Sequence, residues 1–343
     1  MSASTSRSRC IRTASPTAPG EPMLAAYVSS ANSKDPLAAL CLGERPVPVA
    51  PEGWTSVRIR AAALNHHDLW SLRGVGLSRD QLPRILGTDG AGIDESGREV
   101  IVHPVIASRG WTGDETLDPA RTMLSERYDG TLAETVVVPR RNLVAKPESL
   151  TFEEAACLPS AWLTAYRMLF TRARIEPGST LLVQGTRGGM SAALITLAKA
   201  IGVEVWATAT DDEARELGLL LGADAVFAHG AHLPRRVDTV ADNIGADTWG
   251  HSVRSVRPGG VVVSCGATSG DLPPAELRHI YFRQLQVVGS TMGTRDELER
   301  LLRLVVDKQI APRIDSCHKL VDARRAFARL LGRGVDGKVV VRP

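Results

Sequence analysis

The 343-residue chain contains no apolar run reaching the roughly eighteen residues that a membrane span requires, so nothing in it predicts a bilayer-crossing helix. It has no lysine-rich run and no stripe of interleaved basic and aromatic residues, and its formal net charge is only +3. Both features argue against nucleic acid as a partner. No Cys-x-x-Cys occurs; the five cysteines (Cys10, Cys41, Cys157, Cys265, Cys317) are odd in number and widely spaced. That usage points to reduced thiols and a cytoplasmic setting. No internal repeat is visible. Residues 1–22 lack any acid before Glu21 and are rich in Ser, Thr, Arg and Pro, without the apolar face of a transit peptide. They read as a disordered tail, or as residues ahead of a true start at Met23.

What is present is ordinary for a soluble globular protein: 43% hydrophobic and 23% charged residues, with length enough for two domains or one large one. From Met23 the pattern is short and strand-like. Leu24 to Val28, Thr55 to Ala63, Glu99 to Val105 and Thr131 to Val138 are separated by Gly, Pro and Asp turns, which predicts a mostly β unit to about residue 150. Thr151-Phe-Glu-Glu then opens as a capping box, with helical spacing through Phe170. Strands at 181–184, 203–208, 225–228, 237–241 and 261–264 follow, with helices at 190–200 and 212–221. This alternation predicts a parallel, doubly wound sheet. Helices at 295–307 and 322–331 and a last strand at 338–341, expected to return to the first unit, complete the chain.

The most informative segment runs from Ser179 to Thr210: a strand, the turn Gly185-Thr-Arg-Gly-Gly-Met-Ser, a helix and a second strand. Such a turn directs free backbone N–H groups and the positive end of a helix dipole toward a pyrophosphate. The segment is therefore expected to hold a dinucleotide.

Further motifs surround it: Leu64-Asn-His-His-Asp-Leu-Trp, Leu86-Gly-Thr-Asp-Gly-Ala-Gly, Asp129-Gly-Thr-Leu-Ala-Glu, Leu158-Pro-Ser-Ala-Trp-Leu-Thr-Ala-Tyr, Arg257-Pro-Gly-Gly and Val288-Gly-Ser-Thr-Met-Gly. In this order, from Leu24 to Pro343, the chain resembles the medium-chain dehydrogenase/reductase superfamily. The resemblance implies an α/β protein: a GroES-like β-barrel catalytic domain (23–150), a Rossmann cofactor domain (151–288) and a segment (289–343) returning to the catalytic domain. The substrate would sit over the nicotinamide in the cleft between domains. A homodimer through edge strands of the cofactor sheet is also implied.

Relatives of the alcohol dehydrogenase type use catalytic zinc as a Lewis acid. Carried over, the ligand positions fall on Asn65, Thr88 and Ser160, with Asp89 at the accessory carboxylate, and none of the three offers a thiolate or imidazole. The structural-zinc lobe would lie near Ser108 to Asp129, which has no cysteine. An alternative site from His66 or His67 with Asp68 and Asp89 is disfavoured, because adjacent histidines on a strand face opposite ways. The expectation is an enzyme without zinc.

The pattern thus resembles the zinc-independent quinone oxidoreductase branch, which implies hydride transfer to a quinone or an α,β-unsaturated carbonyl. The resemblance makes Asn65 the hydrogen-bond donor to the substrate carbonyl and Trp70 a pocket wall; the alternatives are a loop-capping asparagine and a core tryptophan. His67 is a candidate proton donor, Tyr128 a weaker one, and Asp68 a residue that orients backbone or histidine. Cofactor contacts are expected from Thr164, Gly185, Thr186, Arg187, Gly188, Gly189, Met190, Ser191, Thr208, Ala209, Thr210, Cys265 and Gly266, with Cys265 a wall residue and not a nucleophile. Ala209 stands where an NAD enzyme carries an acid for the ribose hydroxyls, which favours NADP. Asp211, Asp212 and Glu213 follow at once and weigh against it, unless Asp211 is a helix N-cap and Arg215 meets the phosphate. Alternatives are an alcohol or aldehyde dehydrogenase of the same superfamily, and a non-catalytic nucleotide- or RNA-binding relative.

Overall fold

A computed structural model describes residues 19–343; the expectation for the tail lies largely outside the described residues, and Pro22 already opens the first strand. The strand Pro22–Val28 pairs antiparallel with Leu40–Pro46 and Arg84–Ile85. Beside this lies a larger sheet in the order Leu143–Ala145, Glu99–Val102, Asp89–Asp94, Trp54–Ala63, Lys338–Arg342, Ile314–Lys319, with Thr135–Pro139 also paired to Trp54–Ala63. The last strand returns as expected: Val340 and Val341 pair antiparallel with Ala63 and Ala62. The final glycine before it is obligatory, since at Gly337 (φ +123°) a Cβ would lie 2.3 Å from the Arg313 carbonyl oxygen.

The second layer is a six-stranded sheet, parallel throughout, in the order Ala225–Ala228, Glu204–Ala209, Thr180–Val183, Val237–Asp242, Val256–Ser264, Gln286–Gly289. Thr180–Val183 is buried at every position, as a central parallel strand covered on both faces must be. Strand order reverses between Thr180–Val183 and Val237–Asp242, which opens a crevice at their carboxyl ends. One apolar core underlies the junction of the two layers: Ala61, Ala63 and Val340 pack in the same cluster as Leu158, Leu163 and Leu194.

Several elements depart from expectation. The segment after Leu64 is a helix, His66–Arg73, not a strand. The Asp68 carboxylate accepts the Asn65 N–H at 2.8 Å, so this pair caps the helix where strand periodicity was assumed. The strand at 99–105 breaks at Pro104, which has no N–H to donate; Val105–Ile106 then pairs elsewhere, with Thr122–Met123. The ladder expected from Thr131 begins only at Thr135, because Thr131 and Leu132 bond to the carbonyls of Gly87 and Leu86. The strand at 261–264 starts at Val256, a register shift absorbing Pro258-Gly-Gly. The capping box holds: Glu154 N–H donates to Thr151 Oγ1 at 3.2 Å and Thr151 N–H to the Glu154 carboxylate at 2.8 Å. The helical run continues to Arg172 through wider turns at Leu158–Trp162 and Arg167–Arg172, and the first of these carries Ser160.

Candidate active site

Between the layers lies a cavity of about 440 Å³, continuous with a second of about 300 Å³ along the glycine turn; they share His66, Arg187 to Met190, Asn243 and Thr268. Volumes of this size suit a cofactor-and-substrate cleft.

The glycine turn forms as its sequence requires. Gly185 and Gly188 take positive φ (+85° and +82°), and a Cβ at Gly188 would project into open space within the cleft. Gly188–Ala200 is a thirteen-residue helix with no side-chain cap at Arg187, so its N-terminus faces the cleft with its dipole uncompensated by a cap. The turn is held from below by a buried chain. Gly185 N–H donates to Thr208 Oγ1 (3.0 Å), whose hydroxyl donates to Gln184 Oε1 (3.0 Å). Gln184 Nε2 in turn contacts His251 Nδ1 and Ser252 Oγ, both at 2.9 Å.

All thirteen expected cofactor contacts line one or both cavities. Thr164 is buried beside Met292, and Cys265 has its thiol pushed up to about 12 by burial, which makes it a wall and not a nucleophile. Ala209 ends its strand with no carboxylate of its own. Asp211 is the N-cap of Asp212–Leu220, accepting from Ala214 N–H at 2.8 Å. Arg187 is engaged: it pairs with Asp211 and Glu213 (each 3.1 Å) and with Asp336 (2.8 Å). Arg215 lines neither cavity.

The expected chemical residues divide. Asn65, His67 and Trp70 line the larger cavity, and Trp70 is 37% exposed there, a wall and not core. Asp68 is buried beneath, accepting from Asn65 N–H and from Gly87 N–H (2.9 Å), the orienting role expected of it; burial pushes its carboxyl up. Tyr128 is not at the cavity: its ring packs on Trp54 at 4.7 Å between centroids, so the weaker proton-donor assignment is withdrawn.

His67 contacts the Glu126 carboxylate through Nε2 at 3.1 Å. Burial pulls its pKa down, but the Glu126 hydrogen bond and the charges of Asp68, Glu126 and Asp89 outweigh burial and raise it above 6.5. Among the described residues its Nδ1 has no hydrogen-bond partner. His66, by contrast, is held below 6.5 by burial, Lys338 and Arg73, and sits where the two cavities meet.

The positions carried over as zinc ligands form a hydrogen-bonded row anchored by a residue that sequence reasoning missed. Lys338 is 3% exposed, and its ammonium spends its three donors on Asn65 Oδ1 (2.5 Å), Leu64 O (2.9 Å) and Asp89 Oδ2 (3.1 Å). Asn65 Nδ2 donates to Thr88 Oγ1 at 3.0 Å, and Thr88 Oγ1 lies 3.2 Å from Ser160 Oγ. A site for zinc wants sulfur, imidazole or free carboxylate. Here the three positions give an amide and two hydroxyls already bonded to each other, and the nearby carboxylate is paired with an ammonium. The residues do not fit the metal, and among the described residues no other group of three His, Cys, Asp or Glu is arranged to hold one. The one signal for Lys338 in the sequence was its place directly after Gly337, at the start of the returning strand.

Residues 51–148 match the family described as alcohol dehydrogenase GroES-like domain, and residues 189–307 that described as zinc-binding dehydrogenase. The crotonyl-CoA reductase of Streptomyces avermitilis is 26% identical over 92% of this chain and 85% of its own. Among solved structures, an NAD-dependent alcohol dehydrogenase is 31% identical with TM-score 0.87, covering 94% of this chain and 100% of the other. A 2-octenoyl-CoA carboxylase reductase, solved with NADP and 2-octenoyl-CoA, is 26% identical with TM-score 0.88, covering 95% and 88%. With its GroES-like and parallel α/β layers around a dinucleotide cleft, the chain belongs to the medium-chain dehydrogenase/reductase superfamily and is an oxidoreductase.

Proposed function

We propose that this oxidoreductase reduces an α,β-unsaturated carbonyl compound or a quinone with NADPH and without catalytic zinc. The observation that carries the reading is the row Lys338–Asn65–Thr88–Ser160, which places a buried ammonium and three neutral polar groups where the zinc ligands of relatives would stand. Such a site has no Lewis acid to stabilise an alkoxide, so it suits an acceptor whose own π-system delocalises the incoming charge. The crotonyl-CoA reductase and 2-octenoyl-CoA relatives favour a conjugated thioester or enone within that class.

Bound along the glycine turn, the dinucleotide supplies the hydride. The protein's part is to orient the acceptor, polarise its oxygen and return one proton. Asn65 Nδ2 gives one hydrogen to Thr88 Oγ1 and turns the other toward the Ala63 carbonyl at 3.4 Å, so the donor to the substrate oxygen moves two steps along the row, to Ser160. If Thr88 donates to Ser160, the Ser160 hydroxyl proton is free to face the cavity that Ser160 lines. Asn65 then acts by holding this row in register. His67, whose pKa the Glu126 hydrogen bond raises and whose Nδ1 is unpartnered among the described residues, delivers the proton.

NADPH is favoured over NADH because Ala209 leaves no acid for the ribose hydroxyls and Arg187 stands against the same strand end. Its partners Asp211 and Glu213 are exposed and exchangeable for a phosphate. The solution setting proposed is cytoplasmic.

The test is fluorescence titration of metal-stripped protein with NADPH and with NADH, followed by enones, conjugated thioesters, quinones and alcohols. Tighter NADPH binding with turnover of a conjugated acceptor is expected. Oxidation of ethanol or benzyl alcohol that a chelator abolishes would overturn the reading in favour of the alcohol dehydrogenase type. Binding without turnover of any acceptor would favour a non-catalytic relative.

A further inference from the structure

A third cavity, of about 450 Å³, is lined by residues just ahead of the strands Val237–Asp242, Val256–Ser264 and Gln286–Gly289 and shares no lining residue with the cleft. Its lining includes four arginines (Arg235, Arg236, Arg254, Arg283) and three histidines (His232, His251, His279), and no aspartate or glutamate.

The charges are only partly accounted for by the fold. Arg235 pairs with Glu204, and Arg254 with Glu276 at 3.2 Å, Glu276 also lying 3.7 Å from His279. Arg283, 9% exposed, donates to the carbonyls of Val253, Arg254 and Val256, which close the helix Ala246–Ser255. A cation at a helix C-terminus is a structural device. Its burial first, and then the nearby Arg236, press its pKa down. Arg236 has no structural partner of that kind: its one contact is Nε to the Arg254 carbonyl at 3.4 Å, and among the described residues no carboxylate pairs with it. His251 is committed to the network beneath the glycine turn and to the Ala231 carbonyl at 2.9 Å, so it shapes the wall.

We propose that this cavity is a second anion site, taking a phosphate-bearing ligand between Arg236 and Arg283, separate from the dinucleotide cleft. Arg235 and Arg254 are answered by Glu204 and Glu276, which leaves Arg236 and Arg283 as the two lining guanidiniums with no carboxylate partner among the described residues; the oxygens of a phosphate are suited to meet both. The volume admits more than one phosphate group. Free phosphate and a phosphate ester share this chemistry.

The experiment is calorimetric titration of the full chain, first saturated with NADPH so that the glycine turn cannot report, at constant ionic strength. Pyrophosphate and ADP are the probes, with sodium chloride as the control. One saturable site is expected, weakened at least tenfold in Arg236→Glu and several-fold in Arg236→Gln, while both variants bind NADPH as the parent does. Tighter ADP than pyrophosphate would assign a phosphate ester; the reverse would assign an inorganic phosphate. No saturable binding, an equal response to chloride, or undiminished binding in both variants would overturn the proposal.

Discussion

Lys338→Met is the most exacting test of the site. The ammonium is the partner of Asp89 Oδ2, and Asp89 is fully buried with its second oxygen already unpartnered among the described residues. Removing the ammonium leaves that carboxylate with no counter-charge and also frees Asn65 Oδ1 and Leu64 O. Breaking one side of a buried ion pair costs about 3–5 kcal/mol. For 343 residues the unfolding entropy is about 0.7 kcal/mol per kelvin, so the melting temperature should fall by about 4–7 K. The double variant Lys338→Met, Asp89→Leu removes both charges with apolar groups, and should regain most of the stability, since an apolar replacement for a buried pair is close to neutral. Its kcat should nevertheless stay depressed, because Asn65 loses the donor that fixes its amide and the row to Ser160 loses its anchor. Calorimetry and steady-state kinetics on the same preparations separate the two effects. A loss below 1 kcal/mol in the single variant would refute the ion-pair argument. Full recovery of kcat in the double variant would reduce Lys338 to a structural residue.

The remaining expectations follow from the same geometry. If protonated His67 is the proton donor, kcat should be full at low pH and fall as pH rises through a pKa above 6.5; the pair with Glu126 should stabilise the fold over the same range and be lost with it. Glu126→Gln should move that limb to lower pH, since burial then dominates; a pH profile unchanged by the substitution would remove His67 from the chemistry. Gly188→Asp should abolish nucleotide binding, through its φ of +82° and the carboxylate it would put in the cleft; fluorescence titration with undiminished affinity would mean the turn is misassigned. A homodimer is proposed through the unpaired edge strand Gln286–Gly289 and the exposed Leu277, Tyr281, Phe282 and Val287 beside it. Light scattering should give twice the chain mass, and Phe282→Glu should return a monomer.

The parallel sheet was legible in the sequence because each of its inner strands carries a local signal. Val203 to Thr208 and Val237 to Ala241 are mostly apolar between turns, with their acids Glu204 and Asp238 near the amino ends, as strands largely buried on both faces must read. Of its edges, Ala225–Ala228 was read with its observed bounds and Gln286–Gly289 was not, and two outer strands of the first unit were also missed. Ile314–Lys319 is Ile-Asp-Ser-Cys-His-Lys, half-buried except at the exposed Cys317 and Lys319, and its pairing with the last strand is decided by tertiary contact, not by its own pattern. Leu40–Pro46 alternates, but with Cys, Gly, Glu and Arg in the alternation it gives no continuous apolar face. The helix His66–Arg73 failed for another reason. Its cap is Asn65 with Asp68, the same residues whose motif invited a chemical reading, and that reading carried with it the assumption of a strand.

The site divides along the same line between local and long-range. The expected cofactor contacts from Gly185 to Ser191 sit on a segment that forms its own turn, so its glycine geometry could be read directly from the sequence. The polar row could not, because its members come from four separate places: residues 65, 88, 160 and 338. The resemblance made Asn65 the substrate's donor, a role its amide can hold only by giving up Thr88 or the Ala63 carbonyl. What the fold adds is the row itself, running from a buried ammonium to a hydroxyl at the cavity wall. With Thr88 donating to Ser160, as proposed, the row would end in a hydroxyl proton aimed at a carbonyl in the cavity. It also explains why the return of the last strand to the first sheet matters for chemistry: it is the strand that delivers Lys338.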